Sequence, residues 1–272
     1  RPISRLHPIY YELGSWQKTL RLLPAYFALI NADKVRPDAV EVFMKLFLGF
    51  GRSLYRLQST GYRHATWQVV GSVALFRLSI VFPQWKESTK WKKLGLKMVL
   101  EHIRHDFYQD GGPKERCWAY GWMVVRGILD CYDLGKKTGD LKGSVAAEWL
   151  QGIRRTLRWY YKTMTPNGFC PAYGDGDLMK SDEIFAAFKK YLPASETNKP
   201  YEFSALLKPS GFAVMRDNET VGSRYLNFGE SGGGHTHGDL LDFNIWAFGE
   251  PMIEEVGRFD TYDHPLNPFF KS

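Results

Sequence analysis

The sequence predicts an α+β fold with helices first and antiparallel strands after them. Two observations predict it. Apolar residues recur at helical spacing through most of residues 1 to about 195, broken only by short turns. From about residue 201 the apolar runs become short, β-branched or aromatic, and turn residues separate them. The expected domains are therefore a helical one over residues 1–200 and the start of an antiparallel β-sheet domain over residues 201–272.

The elements follow in order. Val40, Phe43, Leu46, Phe47, Phe50, Leu54 and Leu57 mark a helix from Val40 to Leu57. Trp67 to Val81 is apolar on nearly every side, which predicts a buried helix, and Pro83 ends it. Ser88 reads as an N-cap, with a helix from Trp91 to His105 that turns a Lys-rich face outward. Asp110-Gly111-Gly112-Pro113 is a turn. Trp118 to Leu134 is helical, with Gly135 placed to close it. Val145 to Met164 and Ser181 to Tyr191 complete the helices. Strands are expected over Glu202–Leu207, Gly211–Arg216, Ser223–Phe228, Asp242–Phe248 and Pro251–Val256, with hairpin-length turns at Lys208–Gly211 and Asp217–Glu219.

Composition narrows the function classes. A hydrophobic share of 44% with 24% charged residues builds a core and excludes a disordered chain. No run approaches the length of a membrane-spanning helix. The net charge of +7 favours an anionic partner without choosing one. No nucleic-acid-binding module is present, so nucleic acid is not the expected partner. Cys117, Cys131 and Cys170 are too few, too scattered and odd in number for a disulfide framework or a zinc ribbon, and read as buried thiols. The chain starts at Arg1 with no signal segment and ends without an obvious stop, so it reads as a fragment trimmed at both ends. The basic run from Lys86 to Lys97 reads as a solvated helix face.

One stretch carries a local chemical signal: Gly232-Gly233-Gly234-His235-Thr236-His237-Gly238-Asp239. Glycines let the backbone pass close to a ligand. Two His and an Asp within five residues after them mark a functional site, with one imidazole expected at a substrate cleft and the other at a metal behind it.

The words around this stretch, GGGHTHGDLLDFNIWAFGEPMIEEVGRFDTY, resemble the central motif of the heparinase II/III-like polysaccharide lyases. That motif reads Gly-His-x-His-x-Asp, then a strand, Phe-Gly-x-Pro, an apolar pair, Asp-x-Gly and a Tyr. A second block, FPQWKESTKWKKLGLKMVLEHIRHDFYQDGGPKERCWAY, resembles the family's Phe-Pro-Glu-Phe-Lys-x-Ser-x-x-Trp followed by Asp-Gly, a Glu, and a Tyr five residues later. CPAYGDGD and GFAVMRD are weaker echoes, and all four blocks keep the family's order between about residues 60 and 262.

The resemblance implies an N-terminal incomplete (α/α) toroid followed by an antiparallel β-sandwich domain, truncated at the C-terminus here. It also implies β-elimination on an anionic, uronic-acid-containing polysaccharide, and a periplasmic or secreted location. By the same resemblance Tyr120, five residues after Glu115, is the acid that protonates the leaving oxygen and a candidate base as well, and His235 is the histidine facing substrate, which takes a proton if neutral or neutralises the carboxylate if charged. His237 matches the histidine that binds zinc in metal-containing members. The partner ligand, usually the Asp of Asp-x-Gly, is Glu255 in Glu255-Val256-Gly257, and a third ligand falls beyond Ser272. Asp239 either orients a histidine or caps a turn.

Two positions depart from the family pattern. The residue after the catalytic Tyr is often His and is Gly121 here. The group that neutralises the uronate carboxylate is usually an Asn before Trp or His, and Thr66 before Trp67 occupies that place. Thr lacks the two donors of an amide. His64 and Arg63 are the candidates to supply the missing charge, and Trp67 and Trp118 are candidates for stacking on sugar rings. This departure keeps a second reading open, a non-catalytic polysaccharide-binding homologue. A third, a glycoside hydrolase on a similar toroid, would need paired carboxylates such as Glu115 and Asp175.

Overall fold

The computed structural model describes residues 11–32, 36–64, 66–166, 168–197, 204–217, 224–230, 235, 237, 240–248, 250–255, 257–258 and 264–266. Its helices are α1 (Glu12–Asn31), α2 (Pro37–Gln58), α3 (Thr66–Val81), α4 (Ser88–His105), α5 (Trp118–Thr138), α6 (Gly143–Thr163), α7 (Asp182–Tyr191) and the single turn α8 (Ala194–Thr197). Its strands are β1 (Phe169–Cys170), β2 (Met179–Lys180), β3 (Ala205–Leu207), β4 (Phe212–Asp217), β5 (Arg224–Glu230), β6 (Leu240–Ala247) and β7 (Glu250–Ile253). The change from helix to strand thus falls between Thr197 and Ala205, in an α+β order. Packing groups the residues differently. One compact unit holds residues 1–103 and 126–146, and the other holds 104–125 and 147–272.

The first unit is built on α1, α2 and α3. On α2 the buried positions are Phe47, Phe50, Gly51, Leu54 and Gln58, the stripe that a 3.6-residue period brings to one side. Burying each Phe or Leu is worth about 1.5–3 kcal/mol. Gly51 is there because Trp91 leaves no room: a Cβ would lie 2.3 Å from the indole ring. The predicted buried helix is α3, covered on almost every side from Val69 to Ile80. Two helix ends differ from expectation. Ser88 is the first residue of α4 and its hydroxyl donates to the Phe82 carbonyl at 2.5 Å, so it ties the helix back to α3 instead of capping an N–H. Gly135 lies inside α5, packed against Leu141 and Phe76, and the left-handed glycine past the helix end is Gly139, with φ +75°.

In the second unit β1 pairs with β2, and β3-β4-β5-β6-β7 form an antiparallel meander with Val214 opposite Asn227 and Asn227 opposite Asn244. Among the described residues these five strands make one layer, as the start of such a β domain would. Leu207, Phe212, Val214 and Trp246 are buried, whereas Leu206 and Met215 stand exposed, the alternation of a half-covered sheet. The turn Lys208–Ser210 pins the sheet to the helices of its unit. Asp110 accepts from the Ser210 N–H at 2.9 Å and from its hydroxyl at 2.8 Å, and Trp159 Nε1 donates to the same hydroxyl at 3.0 Å. Arg216 reaches from β4 to the carbonyls of Lys162 and Met164 at the end of α6. All three cysteines are buried free thiols. Burial pushes each thiol up to about 12, so none is poised as a nucleophile.

Candidate active site

The site in the second unit begins with the first turn of α5. Trp118 anchors that turn at both ends of the residue: its indole N–H donates to Thr163 Oγ1 at 2.9 Å and its carbonyl accepts from the Tyr160 hydroxyl at 2.8 Å. Its ring is only 1% exposed and packs against Tyr173, Trp159 and Phe212. The expectation that Trp118 stacks on a sugar is corrected accordingly. An indole buried on all sides belongs to the core, and its role is to hold the helix start that carries Tyr120.

Gly121, the departure noted after Tyr120, has a steric cause. A Cβ there would lie 2.5 Å from the Tyr160 hydroxyl and 2.9 Å from Pro113 Cγ. No side chain fits, so no catalytic group follows Tyr120. The half-buried Tyr120 lays its phenol flat on the imidazole of His235, with ring centroids 3.9 Å apart and planes 4° from parallel.

His235 is held at its edge by a residue 60 positions earlier. Asp175 lies in the loop between β1 and β2, where Gly174 takes φ +62°. Its carboxylate is almost wholly buried. One oxygen, Oδ2, meets His235 Nδ1 at 3.2 Å, and the other, Oδ1, meets His237 Nε2 at 3.4 Å. The Asp175 N–H also donates to the His235 carbonyl at 2.9 Å. Both histidines thus meet a single carboxylate, each through one ring nitrogen.

Beyond His237 stands the half-buried Glu255. Its Oε1 is 3.8 Å from His237 Nδ1 and accepts the Gly257 N–H at 3.1 Å, while its own N–H donates to Asn244 Oδ1 at 2.6 Å. Gly257, at φ +71°, lies against the carbonyls of Gly176 and Ala172, with no space for a Cβ. Arg258 then pairs with Asp177 at 3.4 Å.

The donors of His237 and Glu255 fit two ligands of a zinc site. Two zinc bonds of about 2.0–2.2 Å bridge a nitrogen and an oxygen at roughly this separation. A neutral His237 that donates to Asp175 turns its Nδ1 lone pair toward the Glu255 carboxylate, an arrangement that favours a cation between them. Asp175 would then be the carboxylate behind the metal-binding histidine. No group of three or more such ligands occurs among the described residues. His264 lies in a turn, its Nδ1 accepting the Leu266 N–H at 3.2 Å. Gly232 to Gly234 and Asp239 lie outside the described residues.

Arg63, His64, Thr66 and Trp67 belong to the first unit, at the start of α3. A buried polar network fixes them. Gln68 accepts the Arg63 N–H and donates to the Gly61 carbonyl at 2.6 Å. Gln58 donates to the Gln68 carbonyl at 3.2 Å and to Glu12 at 3.1 Å, and Ser72 donates to Gln58 at 2.8 Å. The Arg63 guanidinium pairs with Glu12 at 2.8 Å. Burial holds the Glu12 carboxyl above the usual carboxylate range, against the opposing pull of Arg63 and His102. His64 is exposed, Thr66 is buried at 5% exposure, and Trp67 keeps 49% of its surface open beside an edge contact with Tyr11.

Tyr120, His235, His237 and Glu255 therefore come together in one unit, with Glu115 half-buried in the turn before α5. The residue that sequence reasoning missed in this role is Asp175. It stood out only as part of CPAYGDGD and as a carboxylate to pair with Glu115. No spacing rule relates it to a histidine pair sixty residues away.

Comparison with known proteins agrees with this architecture. A family model described as the heparinase II/III N-terminus matches residues 15–203. The heparin-sulfate lyase of Bacteroides stercoris is 22% identical over 194 residues, which cover 65% of this chain and 29% of that protein. The heparin-sulfate lyase of Pedobacter heparinus is 22% identical over 198 residues, covering 66% and 30%. Among solved structures, heparinase III superposes with a TM-score of 0.79 at 16% identity, over 94% of this chain and 45% of that one. The heparan sulfate lyase from Pedobacter heparinus gives 0.70 at 17% identity, over 97% and 44%. At such identities the structural likeness shows a shared fold. The chain spans less than a third of the curated relatives and less than half of the solved chains.

Proposed function

Because the chain belongs to the heparinase II/III family, we propose that it is a polysaccharide lyase that cleaves a uronic-acid-containing polymer by β-elimination. The observation that carries this reading is the Tyr120–His235 pair, an acid and a base stacked in register, with the base fixed at its edge by Asp175.

The chemistry needs three groups. A base takes the C5 proton, the freed electron pair forms the C4–C5 double bond as the bond from C4 to the glycosidic oxygen breaks, and an acid protonates that oxygen. In this reading His235 Nε2 is the base, because Nδ1 is engaged with Asp175, and the Tyr120 hydroxyl is the acid. The developing charge at C5 is tolerable only if the adjacent carboxylate is neutralised. Arg63 and His64 are the cations proposed for that task, and Trp67 is proposed as a sugar platform. Glu115 is proposed to hydrogen-bond sugar hydroxyls. Zinc, held by His237 and Glu255 with a further ligand, would supply a fixed positive charge behind the histidine pair.

Heparan sulfate is the first substrate to test, since the two curated relatives are heparin-sulfate lyases. A polymer of this class lies outside the cell, so the proposal includes a periplasmic or secreted location. No helix among the described residues is long and apolar enough to cross a membrane. Incubation with heparan sulfate, heparin, chondroitin sulfate, hyaluronan and alginate, followed by ultraviolet absorbance of the unsaturated uronate, tests the reading. New absorbance on any polymer supports it. Saturable binding with no absorbance on any of them favours a second reading, a polysaccharide-binding homologue. The observation behind that alternative is Thr66, buried at 5% exposure at the position where the motif resemblance leads one to expect an amide.

A further inference from the structure

We propose that Asp175 is the positioning residue of the site, setting the tautomer of His235 and coupling it to His237 through one carboxylate. The argument rests on the lyase reading in one respect only, that His235 acts as the base.

A carboxylate oxygen accepts hydrogen bonds and does not donate them when ionised. Asp175 Oδ2 stands 3.2 Å from His235 Nδ1, so the proton of a neutral His235 belongs on Nδ1. The lone pair is then on Nε2, at the opposite edge of the ring. Nε2 makes no hydrogen bond within the described residues, which leaves it for a substrate proton. A ring with the other tautomer would turn two acceptors toward each other at Nδ1 and present a donor where a base is required.

Three contacts fix the geometry without help from solvent. The Asp175 carboxylate grips the ring edge at Nδ1, the Asp175 N–H grips the His235 carbonyl at 2.9 Å, and Tyr120 covers one ring face at 3.9 Å. The carboxylate is 3% exposed, and a buried carboxylate persists only when paired. Its second oxygen meets His237 Nε2 at 3.4 Å, so the same group orients the imidazole that faces Glu255. Changes at His237 and Glu255 therefore reach His235 through Asp175. This gives the CPAYGDGD segment a task in the reaction.

Asp175→Asn tests this, because it is close to isosteric and turns an acceptor into a group able to donate to Nδ1. In the active enzyme, kcat should fall on the order of 10²-fold or more with KM nearly unchanged, the size of a lost, correctly positioned base. Nitrogen-15 spectra of histidine-labelled protein at alkaline pH give a readout that a merely structural role would not move. His235, assigned by its absence in His235→Gln, should carry its proton on Nδ1 in the wild type and on Nε2 in Asp175→Asn. A wild-type His235 protonated on Nε2 overturns the proposal, and so does an unchanged tautomer or unchanged kcat in the variant. If the variant does not fold, the wild-type tautomer alone decides. If the wild type cleaves no polymer, the lyase reading fails while the tautomer still tests Asp175.

Discussion

Tyr120 and His235 lie face to face, 3.9 Å between ring centroids and 4° from parallel, although 115 residues of sequence separate them. The contact is made by the ring and not by the hydroxyl. Phenylalanine keeps it. Tyr120→Phe should therefore keep the ring contact and bind polymer, while turnover drops on the order of 10²-fold or more through loss of a positioned proton donor. Binding by titration calorimetry and turnover by uronate absorbance separate the two effects. Turnover near the wild-type value would remove Tyr120 from the mechanism.

Gly121 is a packing position, and its replacement should show it. A methyl group there meets the Tyr160 hydroxyl at 2.5 Å, and that hydroxyl is bonded to the Trp118 carbonyl. Gly121→Ala must shift the anchor of α5, at a cost of about 1–3 kcal/mol typical of overpacking. Thermal denaturation should show a lowered Tm. Gly121→His, which restores the family's more usual residue, should be worse than Ala and should not raise activity.

The sequence shows the helices of this fold well because their apolar stripes are regular, as at Phe47, Phe50 and Leu54 on α2. Their ends are less legible. Gly135 resembles a helix stop, yet its neighbours Leu141 and Phe76 need a small residue mid-helix, and only tertiary packing reveals that need. The same holds for Trp118. A tryptophan near the candidate tyrosine reads as a sugar platform or as core, and the choice depends on Trp159, Tyr173 and Phe212 closing around it. The histidine pair was visible as a motif, whereas Asp175, which joins the two rings, was not, because a long-range hydrogen bond leaves no local periodicity.

Glu12 gives a pH-dependent prediction in the first unit. Burial raises its carboxyl in the folded state, so over the window above its ordinary value of 4.5 the folded protein binds more protons than the unfolded chain. Stability from this group must then fall as pH rises through that window and is fully present below it. Glu12→Gln keeps an acceptor for Gln58 and removes the titration. The stability of the variant relative to the wild type should rise with pH across this window, measured by urea denaturation at several pH values. A difference that is flat or falls with pH would contradict the assignment.

In the lyase reading proposed above, His64 is expected to matter more to turnover than Thr66. Thr66 is 5% exposed at the start of α3, two residues before Gln68, which is tied to Gln58 and Gly61. A hydroxyl so covered reaches little of a substrate. His64 is exposed, and Arg63, with about half its side chain exposed, has its charge already engaged by Glu12. His64→Ala should therefore lower kcat/KM about tenfold or more, since one charge-assisted hydrogen bond is worth about 1.5–3 kcal/mol. Arg63→Gln should act chiefly on stability by leaving Glu12 without its cation, and Thr66→Asn should leave kcat unchanged. A gain in kcat for Thr66→Asn would mean that the amide reaches the substrate and that carboxylate neutralisation limits turnover. Loss of kcat in Arg63→Gln, without loss of stability, would move the task to Arg63.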